Sequence, residues 1–202
     1  DNLLLTKAGI VAPVDSESPA FEPLKGVYDE EDPGNFPHMM LKEIHDQPIS
    51  LSNALSGRIS ADGSNSELSG FDLSPEQIKK LDRINLVACG TAYYASEIIS
   101  SYIKQFTNLR SEAFIASEFP AKSVCSKNTL TIGVSQSGET KDTLDALFEA
   151  KKFGSHISSI CNVIGSTMAR LTGNGAYLHA GPEFAVASTK VFTNMVAVGL
   201  LF

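Results

Sequence analysis

The 202-residue chain is 43% hydrophobic and 19% charged, which is the composition of an ordinary globular protein with room for a large core. No apolar run reaches the ~20 residues that a membrane-spanning helix needs, and the start lacks the pattern of a signal peptide. The net charge of −7 comes from residues 1–49, so the rest of the chain is neutral and has no basic footprint for nucleic acid.

The first 37 residues divide into two unlike segments. In residues 1–14, two short apolar runs flank Ala8-Gly9, a pattern that predicts two paired strands. Residues 15–37 contain several prolines, an acidic cluster and little periodicity, and they predict an extended linker. Because Asp1 is not an initiator methionine, we expect the chain to be a piece of a longer protein.

Residues 38–83 predict a helical lead-in. Apolar residues recur at helical spacing in residues 37–48, and Pro48 is expected to bend the helix or restart it. After a polar loop, Ser74 is a predicted N-cap and Pro75 the first residue of another short helix.

From Ile84 onward, apolar runs that predict strands alternate with amphipathic segments that predict helices. The predicted strands are residues 84–89, 112–117, 129–135, 157–163 and 176–181. This alternation predicts an α/β fold, a three-layer αβα sandwich around a five-stranded parallel sheet, and we expect a flavodoxin-like strand order. In the first helix of this region, the predicted inner face consists of Ile98, Ile99, Tyr102, Ile103 and Phe106.

The turn after the third predicted strand is rich in hydroxyl groups. It reads Ser135-Gln136-Ser137-Gly138-Glu139-Thr140 and leads into a helix. Ligands of open parallel sheets bind at the carboxyl ends of the strands, and a helix N-terminus can hold a phosphate without lysine or arginine. Hydroxyl side chains also favour helix starts for capping alone, and the pattern by itself leaves both interpretations open. Neither dinucleotide nor P-loop fingerprint occurs.

Other reactive residue types have ordinary explanations. The three cysteines, at positions 89, 125 and 161, form no C-x-x-C pair, so we expect free thiols in a cytoplasmic protein. The four histidines lack metal-ligand spacing, and we expect neither a metal nor a cofactor. Glu183 is interpreted as a helix-start partner, and Lys190 as a solvated or sheet-bordering lysine.

Five segments together resemble the sugar isomerase (SIS) domain: VACGTAYYAS, SEFPAK, LTIGVSQSGETKDTLDAL, ICNVIGSTMAR and AGPEFAVASTKVFTNMV. The whole chain is most similar to the glutamine:fructose-6-phosphate amidotransferases (isomerizing), whose isomerase half opens with a helix like HMMLKEIHDQP. The resemblance implies that residues 1–14 end a glutaminase domain and that residues 15–37 are an acidic interdomain linker. Residues 38–83 are then the helical lead-in, and residues 84–202 a first SIS subdomain truncated at its C-terminal end.

The resemblance also implies a substrate site. Enzymes of this family make glucosamine 6-phosphate from fructose 6-phosphate and glutamine. The implied site comprises a phosphate-binding turn and residues that border the sugar: Ser135, Gln136, Ser137, Gly138 and Thr140 for the phosphate, and Thr91, Val186, Ala187 and Ser188 for the sugar. Ala92 stands where a serine is usual in the family, which removes one hydroxyl group from the site.

The family's catalytic residues would lie outside these 202 residues, in a glutaminase domain and a second SIS subdomain. We therefore expect no catalytic residue in this chain and no turnover by it alone. We also expect the full-length parent to be a homo-oligomer. Neither nucleic acid nor membrane is an expected partner. The alternatives are a non-catalytic SIS module that senses a sugar phosphate and another SIS-type sugar-phosphate isomerase. A helix-turn-helix ahead of the sheet would favour the sensor, whereas the segment before Ile84 resembles the enzyme's lead-in.

Overall fold

The computed structural model describes residues 3–5, 11–13 and 32–202, and it divides the chain into two units, Asp1–Asp32 and Pro33–Phe202. In the first unit, strand β1 (Leu3–Leu5) pairs with strand β2 (Val11–Pro13) in antiparallel orientation, as the two apolar runs predict. Most of the predicted linker, residues 15–31, lies outside the described residues.

The second unit begins with three short helices: α1 (Met39–His45), α2 (Gln47–Leu55) and α3 (Pro75–Lys80). The predicted restart of the helix at Pro48 is confirmed, since α1 ends at His45 and this proline lies in the first turn of α2. The predicted cap is confirmed as well. The Ser74 side chain accepts the N–H of Gln77, whose side chain accepts the N–H of Ser74 in return, so two helix-start donors are satisfied together.

Five parallel strands form the central sheet. They are β3 (Arg83–Ala88), β4 (Arg110–Ile115), β5 (Thr129–Ser135), β6 (His156–Cys161) and β7 (Gly175–Tyr177), in the order β4-β3-β5-β6-β7. Every residue of β5 is buried, as a strand covered on both faces requires. The predicted flavodoxin-like order is confirmed.

Helices cover both faces of the sheet. They are α4 (Thr91–Phe106), α5 (Phe119–Lys122), α6 (Lys141–Lys152), α7 (Thr167–Thr172) and α8 (Lys190–Leu200). Neighbouring residues of β3 point to opposite faces, and they belong to different core clusters. Leu86 packs in a cluster with Ile99 and Met195, whereas Val87 packs in a cluster with Leu147. The three-layer prediction is therefore confirmed. Within the described residues, no helix is both long and apolar enough to cross a membrane.

The predicted inner face of α4 is partly wrong. Ile99 and Ile103 are buried, but Ile98, Tyr102 and Phe106 are exposed, Phe106 to 72%. Small residues occupy the remaining buried positions, because α8 packs closely against α4. A Cβ atom added at Gly199 of α8 would come within 2.4 Å of the Ile99 side chain.

Smaller differences concern single segments and their bounds: β3, β4 and β6 begin and end one or two residues before the predicted positions. The short helix α5 and the 3-10 turn before it were not predicted, because the segment is too short to show helical periodicity. Strand β7 spans three residues, Gly175–Tyr177, whereas the prediction was 176–181. The chain leaves the sheet early because the backbone N–H of Ala180 bonds to the side chain of Asn162 and not to a neighbouring strand.

Candidate functional site

A cavity of about 190 Å³ lies at the carboxyl ends of β3 and β5. These strands are neighbours, and the connections from them run in opposite directions along the sheet, which is where ligands bind in folds of this kind. Among the described residues, those that line the cavity are all uncharged: Cys89, Thr91, Ala92, Val134, Ser135, Gln136, Ser137, Thr140, Ser188 and Met195.

The turn between β5 and α6 is held by its own hydroxyl groups. The Ser135 oxygen accepts the N–H of Gly138 at 3.0 Å and lies 3.1 Å from the Thr140 hydroxyl. The Ser137 oxygen accepts the N–H of Glu139 at 3.1 Å. Because a hydroxyl that accepts one hydrogen bond keeps its own proton, Ser137 can still donate to a ligand in the cavity.

Thr140 is the N-cap residue of α6, but within the described residues its side chain makes no capping bond to the helix backbone. Its hydroxyl group contacts Ser135 and lines the cavity. Capping alone therefore does not account for this threonine. The 12-residue helix α6 places the positive end of its dipole at the same turn.

The turn is also anchored to α7. The Glu139 carboxylate accepts the N–H of Thr167 at 2.7 Å, and the Gly138 carbonyl accepts the N–H of Met168 at 2.9 Å. Hydrogen bonds from Thr167, with the nearby charge of Arg170, hold the pKa of the Glu139 carboxyl below its usual range. The negative charge of Glu139 is thus directed to the start of α7, away from the cavity.

Asn162 joins three strand ends, and the sequence analysis missed it. It follows β6, and its backbone N–H donates to the carbonyl of Gln136 at 3.1 Å. Its side chain accepts the N–H of Ala180 at 2.9 Å and donates to the carbonyl of Gly181 at 2.7 Å. A polar residue directly after a strand was the available signal, but it does not reveal which loops the side chain joins.

The 181–189 loop leads from β7 to α8 and carries Ser188 into the cavity wall. The Glu183 carboxylate accepts the N–H groups of Thr189 at 2.8 Å and Val191 at 3.2 Å, so the interpretation of Glu183 as a helix-start partner is confirmed. The interpretation of Lys190 as solvated is wrong. Lys190 is buried, and its ammonium group pairs with Asp46, which the sequence separates from it by 144 positions.

Six of the nine predicted site residues line the cavity: Thr91, Ser135, Gln136, Ser137, Thr140 and Ser188. Gly138 lies buried behind the turn, whereas Val186 and Ala187 are exposed on the 181–189 loop and do not line the cavity. Ala92, at the position where the resemblance predicts a serine, does line it. Among the described residues, the buried hydroxyl group of Ser188 has no hydrogen-bond partner, so a residue that lines the cavity carries an unused polar group.

The model of the SIS domain matches residues 77–202. The chain belongs to the SIS domain family. The predicted resemblance is thereby confirmed, and the cavity lies inside the matched region. The SIS match includes the whole five-stranded sheet and most of α3, whereas α1 and α2 precede it.

Relatives are similar over most of the chain. Glutamine–fructose-6-phosphate aminotransferase [isomerizing] of Clostridium acetobutylicum is 44% identical over 174 residues, which are 84% of this chain and 28% of the relative. An enzyme of the same name from Thermus thermophilus is 43% identical over 165 residues, 81% of this chain and 27% of the relative. The chain thus spans little more than a quarter of the length of these relatives.

A solved structure supports the same relationship. The C-terminal domain of glucosamine-fructose-6-phosphate aminotransferase from Francisella tularensis has a TM-score of 0.77 and 33% identity, covering 85% of this chain and 48% of that chain. Tagatose-6-phosphate ketose/aldose isomerase from Escherichia coli, at 18% identity and a TM-score of 0.66, is similar in fold.

Proposed function

We propose that this chain is the hexose-phosphate-binding part of a glutamine–fructose-6-phosphate aminotransferase, which makes glucosamine 6-phosphate from fructose 6-phosphate and glutamine. The observation that carries the proposal is the meeting of polar side chains from three separate segments in one uncharged cavity. Thr91 is the first residue of α4, which follows β3. Ser137 lies in the turn after β5, and Ser188 lies in the loop before α8. The name of the 43–44% identical relatives supports the same substrate.

The phosphate is assigned to the turn between β5 and α6. Ser135, Gln136, Ser137 and Thr140 supply neutral donors, and the α6 dipole favours an anion. Gly138 is assigned a supporting role behind the turn, where it lets the backbone pass close to Ser166 of α7. A site of neutral donors suits a substrate that must leave after reaction.

The sugar is assigned to the lining residues outside this turn. Thr91 and Ser188 are within the cavity lining and carry hydroxyl groups. Val186 and Ala187 precede Ser188 on the 181–189 loop, and we retain both as residues that border the sugar. Their exposure leaves them accessible to a ligand that extends out of the cavity.

The chain alone is proposed to bind substrate without converting it. Isomerisation needs an acid and a base within about 3 Å of the moving protons, whereas the cavity-lining residues in the described part of the chain are uncharged. Glu183 is already held by backbone N–H groups of α8. We assign proton transfer to a second SIS subdomain and ammonia supply to a glutaminase domain, both in a longer parent protein. We propose that this parent is homo-oligomeric and cytoplasmic, and that residues 15–37 are its interdomain linker.

Calorimetry of the 202-residue chain with fructose 6-phosphate tests this function. Ser137→Ala should weaken binding about tenfold, because a hydrogen bond to a charged group contributes about 1.5–3 kcal/mol and ~1.4 kcal/mol is tenfold in affinity. Ser52→Ala, on the exposed side of α2, is the matched control and should leave the affinity unchanged. Equal affinities of all three proteins would contradict the assigned phosphate site, and conversion of fructose 6-phosphate by this chain would contradict the absence of turnover.

A further inference from the structure

Glu43 of α1 is a carboxylate with none of its surface exposed. One of its oxygens, Oε1, accepts the backbone N–H groups of Phe184 at 2.6 Å and Ala185 at 3.2 Å. The other oxygen lies 3.3 Å from the N–H of Ala185. A buried carboxylate is strongly unfavourable unless hydrogen bonds compensate for lost water, so these contacts account for its burial.

These contacts hold the middle of the 181–189 loop, which has no regular backbone structure. The beginning of the loop is fixed by Asn162, which donates to the carbonyl of Gly181. Its end is fixed by Glu183, which accepts the N–H of Thr189. Glu43 supplies the central attachment, and Ser188 follows Ala185 by three residues. The position of Ser188 in the cavity wall therefore depends on a side chain of the lead-in helix.

The phosphate end of the cavity has separate support. Ser135 and Ser137 are bonded to backbone N–H groups within the turn, and Glu139 is bonded to Thr167. Glu43 takes part in none of these bonds. A change at Glu43 should therefore disturb one wall of the cavity and leave the other in place.

We propose that Glu43 is a positioning residue for the sugar end of the site: its carboxylate holds the 181–189 loop so that Ser188 contacts the hexose. The inference rests on the proposed hexose-phosphate function. Glu43 does not itself line the cavity, so it acts through the loop and not on the ligand. It gives the lead-in helix, which lies outside the matched SIS region, a part in substrate recognition.

The test compares two ligands, fructose 6-phosphate and inorganic phosphate, because only the first has a sugar. Glu43→Gln keeps the size of the side chain and removes its charge. It should weaken fructose 6-phosphate binding about tenfold and change inorganic phosphate binding by less than about twofold, since one wall loses its charge-assisted hydrogen bonds. Glu76→Gln, at an exposed site on α3, is the control and should bind both ligands normally.

A double-mutant cycle separates positioning from general destabilisation. In a Ser188→Ala background, Glu43→Gln should have much less effect on fructose 6-phosphate affinity, because both changes remove the same contact. Glu43→Asp, which retains the charge on a shorter side chain, replaces Glu43→Gln in every measurement if the latter does not fold.

Each outcome decides between the two proposals. If the unmodified chain binds neither ligand, the proposed function itself is overturned. If it binds both ligands, equal weakening of the two by the Glu43 variant, or no weakening of either, would overturn the positioning role alone. Fully additive effects of the Glu43 and Ser188 changes would also overturn it.

Discussion

The ammonium group of Lys190 lies 3.3 Å from Oδ2 of Asp46, so the first residue of α8 is paired with the residue between α1 and α2. The Lys42 ammonium group lies 2.9 Å from the same oxygen. Only 6% of the Lys190 side chain is exposed, and the N-terminus of a helix is an unfavourable place for a cation. Asp46 therefore supplies the negative charge that makes the burial of Lys190 tolerable.

Asp46→Asn should destabilise the fold, because it leaves the Lys190 ammonium group buried without its counter-charge. We expect the free energy of unfolding to fall by about 1.5–3 kcal/mol, the range for hydrogen bonds to charged groups. Chemical denaturation measures the change. Asp145→Asn is the matched control, because Asp145 pairs with Lys141 on an exposed helix face and should contribute about 0–1 kcal/mol. Equal losses in both variants would contradict the role of Asp46.

The contribution of Asp46 should depend on pH. Burial raises the pKa of this carboxyl, but hydrogen bonds and charges from Lys42 and Lys190 lower it more, so it lies below the ordinary value of 3.8. A depressed pKa means that the ionised form stabilises the folded state. The stability difference between the unmodified chain and Asp46→Asn should be complete above pH 3.8 and shrink as the pH falls through the lowered pKa. Denaturation at a series of pH values measures it, and a difference that grows on acidification would refute the assignment.

Gly138→Ala should disrupt the turn between β5 and α6, to which the phosphate is assigned. Gly138 has a φ of +66°, and an added Cβ would lie 2.2 Å from the Oγ atom of Ser166, the N-cap residue of α7. Gly63 has a φ of +70° with no atom within 4 Å of such a Cβ, so Gly63→Ala measures only the cost of placing an alanine at a positive φ. That cost is about 1–2 kcal/mol of folding stability. Gly138→Ala should cost more than Gly63→Ala in chemical denaturation, and it alone should weaken fructose 6-phosphate binding. Similar losses of stability would show that the turn can move away from Ser166.

The parts of the fold that follow from local sequence pattern were predictable. Strand β5 is buried on both faces, so it consists of apolar and small uncharged residues, and the predicted bounds 129–135 agree with the structure. The inner face of α4 was only partly predictable, since its large residues suggested a face that includes Phe106. The structure instead buries small residues such as Ala95 and Ser96, because α8 approaches closely at Gly199.

The candidate site was predictable where its chemistry is local. The turn from Ser135 to Thr140 has its donors in consecutive residues, and the family resemblance added Thr91 and Ser188. The supports of the site were not predictable, because Glu43 and Ala185 are 142 positions apart and no periodicity links them. The burial of Lys190 was missed for the same reason, since its partner Asp46 belongs to a different part of the chain.

Ser188→Ala should separate stability from binding. The Ser188 hydroxyl is buried without a partner among the described residues, and an unsatisfied buried polar group costs about 1–3 kcal/mol. Its removal should keep or raise the free energy of unfolding while it weakens fructose 6-phosphate binding. Ser100→Ala, which removes another unpaired buried hydroxyl of the described region, from α4 and outside the cavity, should affect stability in the same direction and leave binding unchanged. Unchanged ligand affinity of Ser188→Ala would remove Ser188 from the site.

Ala92→Ser should strengthen binding, because it adds a hydroxyl group to the cavity wall at a position where the family resemblance predicts a serine. Ala92 lines the cavity in the first turn of α4, a position in which a serine is compatible with the helix start. A net hydrogen bond of about 0.5–1.5 kcal/mol corresponds to roughly two- to tenfold tighter fructose 6-phosphate binding. Ala95→Ser is the control, since Ala95 is fully buried in the core one helical turn away and is absent from the cavity lining. That change should lower the stability of the fold and leave the affinity as it was. If calorimetry finds no gain in affinity for Ala92→Ser, the hexose lies too far from the start of α4 to bond with the added hydroxyl group. The sugar would then have to be assigned to the Ser188 side of the cavity alone.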